Sequence, residues 1–264
     1  MNGVRVIAPV FHPRIWGSRD LRAWYPERGR EPEPIGEAWI SPPHCPVLIK
    51  MLFPADRLSV QVHPDDAYAA AHGMGRGKSE AWYVVAAEPG ATLGVGLRPG
   101  ASWSELEPAC RAGRGAELLH WGAVQPGDVV NVPAGTVHAI GPGVVLCEVQ
   151  QASDNTFRLD DYGRGGPLHL EHGLAVARAT AGGLVEHGLT LEQSGLLLDT
   201  PYFQLVRHQT RPGWTLAPAS GLRWIVNLAG DGPVPRGCVA ELASGTPLAA
   251  TSRGTWLEVR VPTP

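Results

Sequence analysis

Glycine and proline interrupt the apolar segments of this chain at short intervals. The 264 residues include 33 glycines and 25 prolines. Between them lie apolar runs too short for long helices, a pattern that favours many strands joined by turns. The length suffices for one large all-β domain or two small ones with a real hydrophobic core.

The predicted elements divide the chain into three parts. Strands are expected at 47–53, 58–62, 80–86, 92–96, 128–132, 144–150, 202–209, 222–228, 238–242 and 256–261, and a proline-rich loop at 26–36. Helices are expected near 102–120, where Ser102 and Glu105 form a capping-box pattern, and at 168–181, before Gly182 and Gly183. We therefore predict a mainly β protein: a catalytic domain with an inserted helix (1–165), a helical connector (166–199) and a smaller C-terminal β domain (200–264).

Charge and cysteine usage exclude several classes of partner. The net charge of −3 is too small to predict binding to nucleic acid or to a membrane surface. The N-terminus does not have the pattern of a signal peptide, and no apolar run approaches the roughly 20 residues of a membrane-spanning helix. The four cysteines are widely spaced and form no CxxC pair, which is typical of free thiols. We expect a cytoplasmic protein of unknown oligomeric state.

Polar side chains share one face of the predicted strand at 58–62. Side chains two residues apart in a strand point to the same side, so Ser59, Gln61 and His63 lie together, opposite Leu58 and Val60. Polar groups on a face that turns inward need partners. A metal ion satisfies a histidine and a glutamine together.

Two further segments supply donors of the same kind. Lys78 and Glu80 lie two residues apart at the start of a predicted strand. His138 follows a turn at Pro133 and Gly135. Two imidazoles, one carboxylate and one amide oxygen suit zinc or another divalent first-row metal, and the absence of thiolates indicates a catalytic rather than a structural site.

Lysine is almost absent from the chain. All but two of its 22 cationic residues are arginine, and the exceptions are Lys50 and Lys78. A chain so rich in arginine keeps lysine where a compact ammonium is needed. Lys50 lies on the strand before Gln61, from which it can reach the same cavity.

These segments resemble a known family. The spacing Gly127-x5-Pro133-x-Gly135-x2-His138 resembles the second cupin motif, although Pro142 stands where that motif has asparagine. The other matching segments are Trp16-Gly17, Ile35-Gly36-Glu37-Ala-Trp39, Gln61-Val-His63-Pro, Gly77-Lys-x-Glu80-x-Trp-Tyr83, Glu148-x4-Ser153-Asp-Asn-Thr-Phe-Arg158 and Leu168-His-Leu. Together they resemble the type I mannose-6-phosphate isomerases of the short prokaryotic form, over roughly residues 8–180.

The resemblance implies a cupin (jelly-roll) barrel that interconverts mannose 6-phosphate and fructose 6-phosphate with one zinc ion per chain. The family's metal ligands correspond to Gln61, His63, Glu80 and His138. Its active-site arginine corresponds to Arg158, its pocket lysines to Lys50 and Lys78, its serine to Ser59, and a pocket carboxylate to Glu148. The substrate would be a small phosphorylated sugar.

The chemistry assigns roles to these groups. Isomerisation moves a proton between C1 and C2, and a cation stabilises the oxyanions that develop. Arg158 can do this with its fork of donors, unless it forms a salt bridge with Asp160 or Asp161. The base is Glu148, a metal-bound hydroxide or a lysine of lowered pKa. The dianionic phosphate also needs cations, for which Lys50 and Lys78 are the candidates, with the Ser59 hydroxyl as a further donor.

Three alternatives stay open at the level of sequence. The chain can be an isomerase or epimerase of another phosphosugar, because the pocket outside the ligands sets the substrate. It can be a non-catalytic cupin that binds a sugar or a metal. It can also be an iron dioxygenase with two histidines and a carboxylate, although the two lysines favour an anionic substrate.

Overall fold

A computed structural model describes residues 3–42, 44–179, 182–185 and 187–262. Within these ranges, strands β1–β20 are Val4–Ile7, Val10–Asp20, Arg30–Trp39, Val47–Leu52, Val60–Val62, Glu80–Ala87, Thr92–Leu97, Leu119–Ala123, Val129–Val132, His138–Ile140, Val144–Gln151, Phe157–Asp160, Gly183–Leu184, Gly195–Asp199, Gln204–Thr210, Thr215–Leu216, Arg223–Ala229, Val239–Leu242, Leu248–Ala249 and Gly254–Arg260. Helices α1–α3 are Asp66–Ala71, Trp103–Arg111 and Leu170–Val176, and Gly115–Leu118 forms a 3₁₀ turn. None of the helices in the described ranges is long and apolar enough to cross a lipid bilayer.

Two antiparallel sheets form the barrel. One has seven strands in the order β13-β9-β6-β11-β4-β3-β2, and the other has five in the order β12-β5-β10-β7-β8. Side chains from both sheets, among them Trp82, Leu93 and Ile140, form one buried cluster between them. Alternating inward-facing residues of two packed sheets are the core of a jelly roll. The prediction of a mainly β, cupin-type fold is confirmed.

A third sheet covers the outer face of the seven-stranded sheet. Its order is β1-β18-β17-β20-β15-β14, and the short hairpin β16–β19 lies beside it. Ile49 and Val149 of the barrel pack against Trp224 and Leu257 of this sheet in the largest buried cluster. Strand β1 comes from the N-terminus but pairs with β18. The domain boundaries at 165 and 199 remain a prediction. Strand β1 belongs to the predicted first domain by sequence but pairs with a strand of the predicted C-terminal domain.

Both predicted helices are shorter in the structure. Helix α2 has the expected start, because Glu105 accepts a 2.7 Å hydrogen bond from the Ser102 N–H. It ends at Arg111, not near 120, because Gly113 adopts a positive φ of 68°, which favours glycine. Helix α3 ends at Val176, and its predicted end at Ala181 lies outside the described residues.

The predicted loop at 26–36 is wrong from residue 30 onward. Strand β3 begins at Arg30 and pairs with both β2 and β4. Its prolines sit in the part of the strand where the pairing with β2 is irregular, a position that proline tolerates.

The four cysteines are all free and buried. This agrees with the prediction of free thiols. Burial raises the pKa of Cys45 to about 12 and that of Cys110 to about 12, so these groups are protonated at neutral pH and pack as small apolar side chains.

Glu258 is the most strongly paired carboxylate of the C-terminal sheet. It is fully buried on β20, 2.8 Å from His208 Nε2, 2.8 Å from Arg260 Nη2 and 3.5 Å from Arg223 Nη1. Burial alone would raise the pKa of Glu258, but the hydrogen bonds from His208 and Arg260 outweigh it and hold the pKa at about 2.

This pairing predicts a pH-dependent stability. The pKa of Glu258 is lowered from 4.5 to about 2, so its contribution is complete above pH 4.5 and is lost as the pH falls toward 2. The shift corresponds to about 3 kcal/mol. In urea titrations we expect Glu258→Gln to lower the free energy of unfolding by about this amount at pH 7, and by much less near pH 3.

Glu107→Gln, which removes an exposed ion pair with Arg111, is the control, and its free energy of unfolding should change little. Equal stabilities of wild type and Glu258→Gln at pH 7 would contradict the assignment.

Candidate metal centre and active-site cavity

The four predicted ligands lie where strands of both sheets begin or end. Gln61 is on β5 and His63 follows its last residue, while Glu80 and His138 open β6 and β10. His138 is the direct partner of Gln61 in the β5–β10 ladder. Gly135 has a positive φ of 88°, and its N–H donates to the His63 carbonyl oxygen at 2.9 Å. The turn before His138 is thereby fixed beside the end of β5.

The donor atoms converge. His63 Nε2 lies 3.3 Å from Glu80 Oε2, and His138 Nε2 lies 3.4 Å from Glu80 Oε1. One ligand atom from each of these three residues lies within 4.8 Å of the other two. All three side chains are at most 1% exposed. Bonds of about 2 Å to one ion require this kind of separation.

Both imidazoles are oriented for metal binding. Nδ1 of His63 donates to the Asn155 carbonyl oxygen, and Nδ1 of His138 donates to that of Thr136, each at 2.9 Å. These bonds leave Nε2 with its lone pair toward the centre, the usual arrangement of metal-binding histidines. Burial lowers the pKa of His63 to about 3 and also lowers that of His138, so both rings are neutral.

The centre fits a divalent cation. His63 Nε2 is a buried atom without a hydrogen-bond partner among the described residues, a condition that is unfavourable unless another group satisfies it. Glu80 Oε2 faces this atom at 3.3 Å and has the Lys78 ammonium on its other side. Burial raises the pKa of Glu80, but the Lys78 ammonium 3.1 Å away and the imidazoles of His63 and His138 together outweigh it, and the net pKa lies well below its usual range. A carboxylate and two neutral imidazoles are suitable ligands for zinc.

Gln61 requires one adjustment. Its Nε2 lies 3.2 Å from His138 Nε2, and its Oε1 accepts from the Ser59 hydroxyl at 3.4 Å. A metal binds the amide oxygen rather than the nitrogen. Gln61 therefore fits the centre as a ligand once its side-chain amide is rotated by about 180°, which exchanges Oε1 and Nε2. The other three ligands need no such rotation.

A cavity of about 340 Å³ opens above this centre. Its lining consists of Arg14, Trp16, Glu37, Lys50, Leu52, Leu58, Ser59, Gln61, Lys78, Glu148, Asp154, Thr156 and Arg158. The structure thus brings together every predicted catalytic and substrate-binding residue, beside Gln61, one of the four predicted ligands. The size is sufficient for a small ligand.

Trp82 connects the metal centre to Glu148. Its Nε1–H lies 3.1 Å from both Glu80 Oε1 and Glu148 Oε1 and donates to the two carboxylates. Burial and then the negative charge of Glu80 raise the pKa of Glu148 to about 7, although Lys50 acts in the opposite direction. A carboxyl group that titrates near neutral pH can both take up and release a proton.

The two lysines are held by carboxylates. Lys50 Nζ lies 3.4 Å from Glu148 and 3.3 Å from Asp154, and 4.9 Å from the centre of the Trp39 ring. Burial lowers the pKa of Lys50, but these carboxylates outweigh it and raise it above its usual value. Both side chains are at most 4% exposed.

Arg158 keeps donor capacity available to a ligand. Among the described residues its closest carboxylate contact is 3.9 Å, from Nε to Asp161 Oδ1. Nη1 donates to the Pro167 carbonyl oxygen at 3.4 Å, and the buried Nε has no acceptor within the same residues. Asp160 instead accepts from the N–H groups of Gly115 and Tyr162. The alternative role for Arg158 was a salt bridge with Asp160 or Asp161. The contact with Asp161 is long, and Asp160 instead accepts the backbone hydrogen bonds named above.

Besides the apolar Leu52 and Leu58, five lining residues were not among the predicted site residues: Arg14, Trp16, Glu37, Asp154 and Thr156. Four of them lie in or next to segments that resemble the family, but nothing in the sequence gave them a role. Arg14 and Glu37 come from β2 and β3, which the sequence did not predict as strands. Their position in the cavity depends on long-range pairing.

Comparisons with known proteins agree with the fold and with the resemblance. No protein-family model matches the chain. The chain is 37% identical to the mannose-6-phosphate isomerase of Streptococcus mutans over 204 residues, which are 73% of this chain and 63% of the relative. It is 42% identical to mannose-6-phosphate isomerase ManA of Bacillus subtilis over 138 residues, 50% of this chain and 44% of ManA. The chain thus spans less than two thirds of these two relatives.

A third relative is matched over more of its length. The Bacillus subtilis protein named "Probable mannose-6-phosphate isomerase GmuF" is 31% identical over 212 residues, 64% of this chain and 67% of GmuF. Among solved structures, the mannose 6-phosphate isomerase of Bacillus subtilis superposes with a TM-score of 0.83 at 23% identity, over 98% of this chain and all of that one. A mannose 6-phosphate isomerase bound with zinc and yttrium gives a TM-score of 0.75 at 14% identity, over 99% and 100%. The structures establish the fold, and the sequence relatives establish more: the chain belongs to the mannose-6-phosphate isomerase family.

Proposed function

We propose that this protein is an aldose–ketose isomerase that interconverts mannose 6-phosphate and fructose 6-phosphate. The observation that carries the proposal is the convergence of His63, Glu80 and His138 beneath a cavity that also contains two lysines and Arg158. A non-catalytic sugar- or metal-binding barrel has no need of that set of cations. The names of the relatives support the same substrate.

We propose zinc as the metal, with Gln61, His63, Glu80 and His138 as its ligands. The donor set supports this choice, as does the zinc-bound structure of the same fold. When bound, the ion would supply Lewis-acid stabilisation of the charge that develops on the sugar oxygens. Lys78, 3.1 Å from Glu80, keeps that ligand ionised.

The remaining steps belong to residues of the chain. We assign Glu148 as the group that takes the proton from one sugar carbon and returns it to the other, because its pKa of about 7 allows both transfers. Lys50 holds Glu148 in place and contacts substrate with Ser59. Arg158 stabilises the developing enediolate through its guanidinium, whose Nε–H has no acceptor among the described residues.

The direct test is turnover with and without metal. We expect the purified protein to isomerise mannose 6-phosphate, to lose the activity after dialysis against a chelator, and to regain it when zinc is added back. A panel of other aldose and ketose phosphates, including glucose 6-phosphate and ribose 5-phosphate, tests the alternative substrates. Full activity in the chelated protein, or preference for another sugar phosphate, would contradict the proposal.

A further inference from the structure

Strand β2 leaves its ladder with β3 beside the cavity. Pro13 and Ser18 both oppose Ile35 in the register, so the residues between them form a bulge. The Trp16 carbonyl oxygen accepts from the N–H groups of Ala55 and Asp56 at 2.9 and 3.0 Å, which attaches the bulge to the barrel. Bulges next to active sites commonly redirect a side chain. Here the bulge carries Arg14 to the cavity wall.

The guanidinium of Arg14 is held in one orientation. Its Nε and Nη2 donate to the two oxygens of Glu37 at 3.1 and 3.0 Å. Glu37 is fixed in turn by Trp39, whose Nε1–H donates to Oε2 at 2.7 Å. Gly36 permits the close packing, since a Cβ there would lie 2.6 Å from Arg14 Cβ. A donor locked by a supporting hydrogen bond is ready to bind without reorganisation.

Arg14 still has donors to offer. Nη1 makes one hydrogen bond, to the Pro13 carbonyl oxygen at 3.1 Å. A guanidinium has five N–H groups, so within the described part of the chain one N–H on each of Nη1 and Nη2 has no acceptor. Two such donors on one edge match two oxygens of a phosphate.

Exposure separates Arg14 from the two lysines. The Arg14 side chain is 33% exposed, whereas Lys50 is 2% exposed between two carboxylates and Lys78 is 4% exposed beside Glu80. Arg14 is also paired with a carboxylate, Glu37, so burial makes the difference: a dianionic phosphate at either lysine would have to give up most of its hydration. Arg14 lies where the cavity meets solvent, so it can bind the phosphate while the sugar carbons reach toward the metal centre.

We propose that Arg14 binds the phosphate group of the substrate at the outer end of the cavity, with Glu37 as its positioning residue. The inference rests on the proposed function for the identity of the substrate. It adds a residue from the N-terminal strands to a site otherwise built from the barrel, and it leaves Lys50 and Lys78 mainly to the groups around the reacting carbons.

The test compares Arg14→Gln with wild type in two assays. In steady-state kinetics we expect KM for mannose 6-phosphate to rise about tenfold or more, because a charge-assisted pair is lost, with kcat within about threefold. In titration calorimetry we expect the Kd for inorganic phosphate to rise by a similar factor. Arg14→Lys keeps the charge, so its KM and its Kd for phosphate should lie between those of wild type and those of Arg14→Gln. Arg19→Gln, on the exposed end of the same strand, is the matched control and should behave like wild type.

Two readouts separate this role from a structural one. Zinc content and melting temperature should be the same in Arg14→Lys as in wild type, whereas a merely structural role would lower them together with kcat. Phosphate affinity within twofold of wild type in folded Arg14→Gln would overturn the inference, and so would an affinity equal to that of wild type in Arg14→Lys if Arg14→Gln does not fold. The binding assay does not need turnover, so an inactive wild-type protein would contradict the proposed function and still leave Arg14 tested.

Discussion

Replacing His138 with alanine is expected to remove both the bound metal and the turnover. The side chain is fully buried, and its Nε2 lies 3.4 Å from Glu80. The variant loses one imidazole ligand and leaves a cavity beside the Glu80 carboxylate, where the His138 ring was. A metal ion contributes several kcal/mol of transition-state stabilisation, so kcat/KM should fall by roughly a thousandfold.

Metal analysis and kinetics on the same preparation check this expectation. His120→Ala is the control, because His120 is exposed on the edge strand β8 of the five-stranded sheet, two strands away from β10. His138→Gln keeps a polar side chain of similar volume and guards against a folding defect, which circular dichroism would reveal. One zinc ion per chain together with full turnover in either His138 variant would show that His138 is not a metal ligand.

Replacing Arg158 with alanine is expected to leave the metal in place and to lower kcat by about 10² to 10³. Loss of a donor aimed at a developing oxyanion has an effect of this size. The recorded polar contacts of the Arg158 side chain are with Asp161, at 3.9 Å, and with the Pro167 carbonyl oxygen, at 3.4 Å, and not with His63, Glu80 or His138. Zinc content should therefore match that of wild type.

Arg164→Ala separates catalysis from loop structure. Arg164 also pairs with Asp161, at 2.8 Å, but it does not line the cavity. If Arg158 acted only by fixing this loop, the two variants would lose activity to the same extent. We expect Arg164→Ala to retain most of kcat, and an Arg158→Ala enzyme with normal kcat would exclude the assigned role.

The parts of the site that were predictable follow from short-range geometry. Ser59, Gln61 and His63 share a face because the period of a strand is two, and the structure places the first two in the cavity and the third at the centre. The scarcity of lysine drew attention to Lys50 and Lys78, and both line the cavity. Neither observation by itself brings distant strands together. That these residues meet in one site was predicted from the family's motifs, which occur in this chain in the same order.

The parts that were not predictable depend on long-range pairing. Strand β3 contains two prolines between charged residues, a local pattern typical of a loop, yet it pairs with β2 and β4. The bulge at Arg14 arises only because Pro13 and Ser18 oppose the same residue of β3. The length of helix α2 was overestimated because its apolar positions continue into the 3₁₀ turn and β8, while Gly113 ends the helix.

Anomalous diffraction at the zinc absorption edge, from crystals of the protein prepared with zinc, locates the bound metal and its ligands. We expect one strong peak inside the barrel, about 2.0–2.2 Å from Nε2 of His63, Nε2 of His138, a Glu80 oxygen and the Gln61 amide oxygen. A peak bound by other residues, or a fully active crystal without a peak between these four side chains, would contradict this expectation.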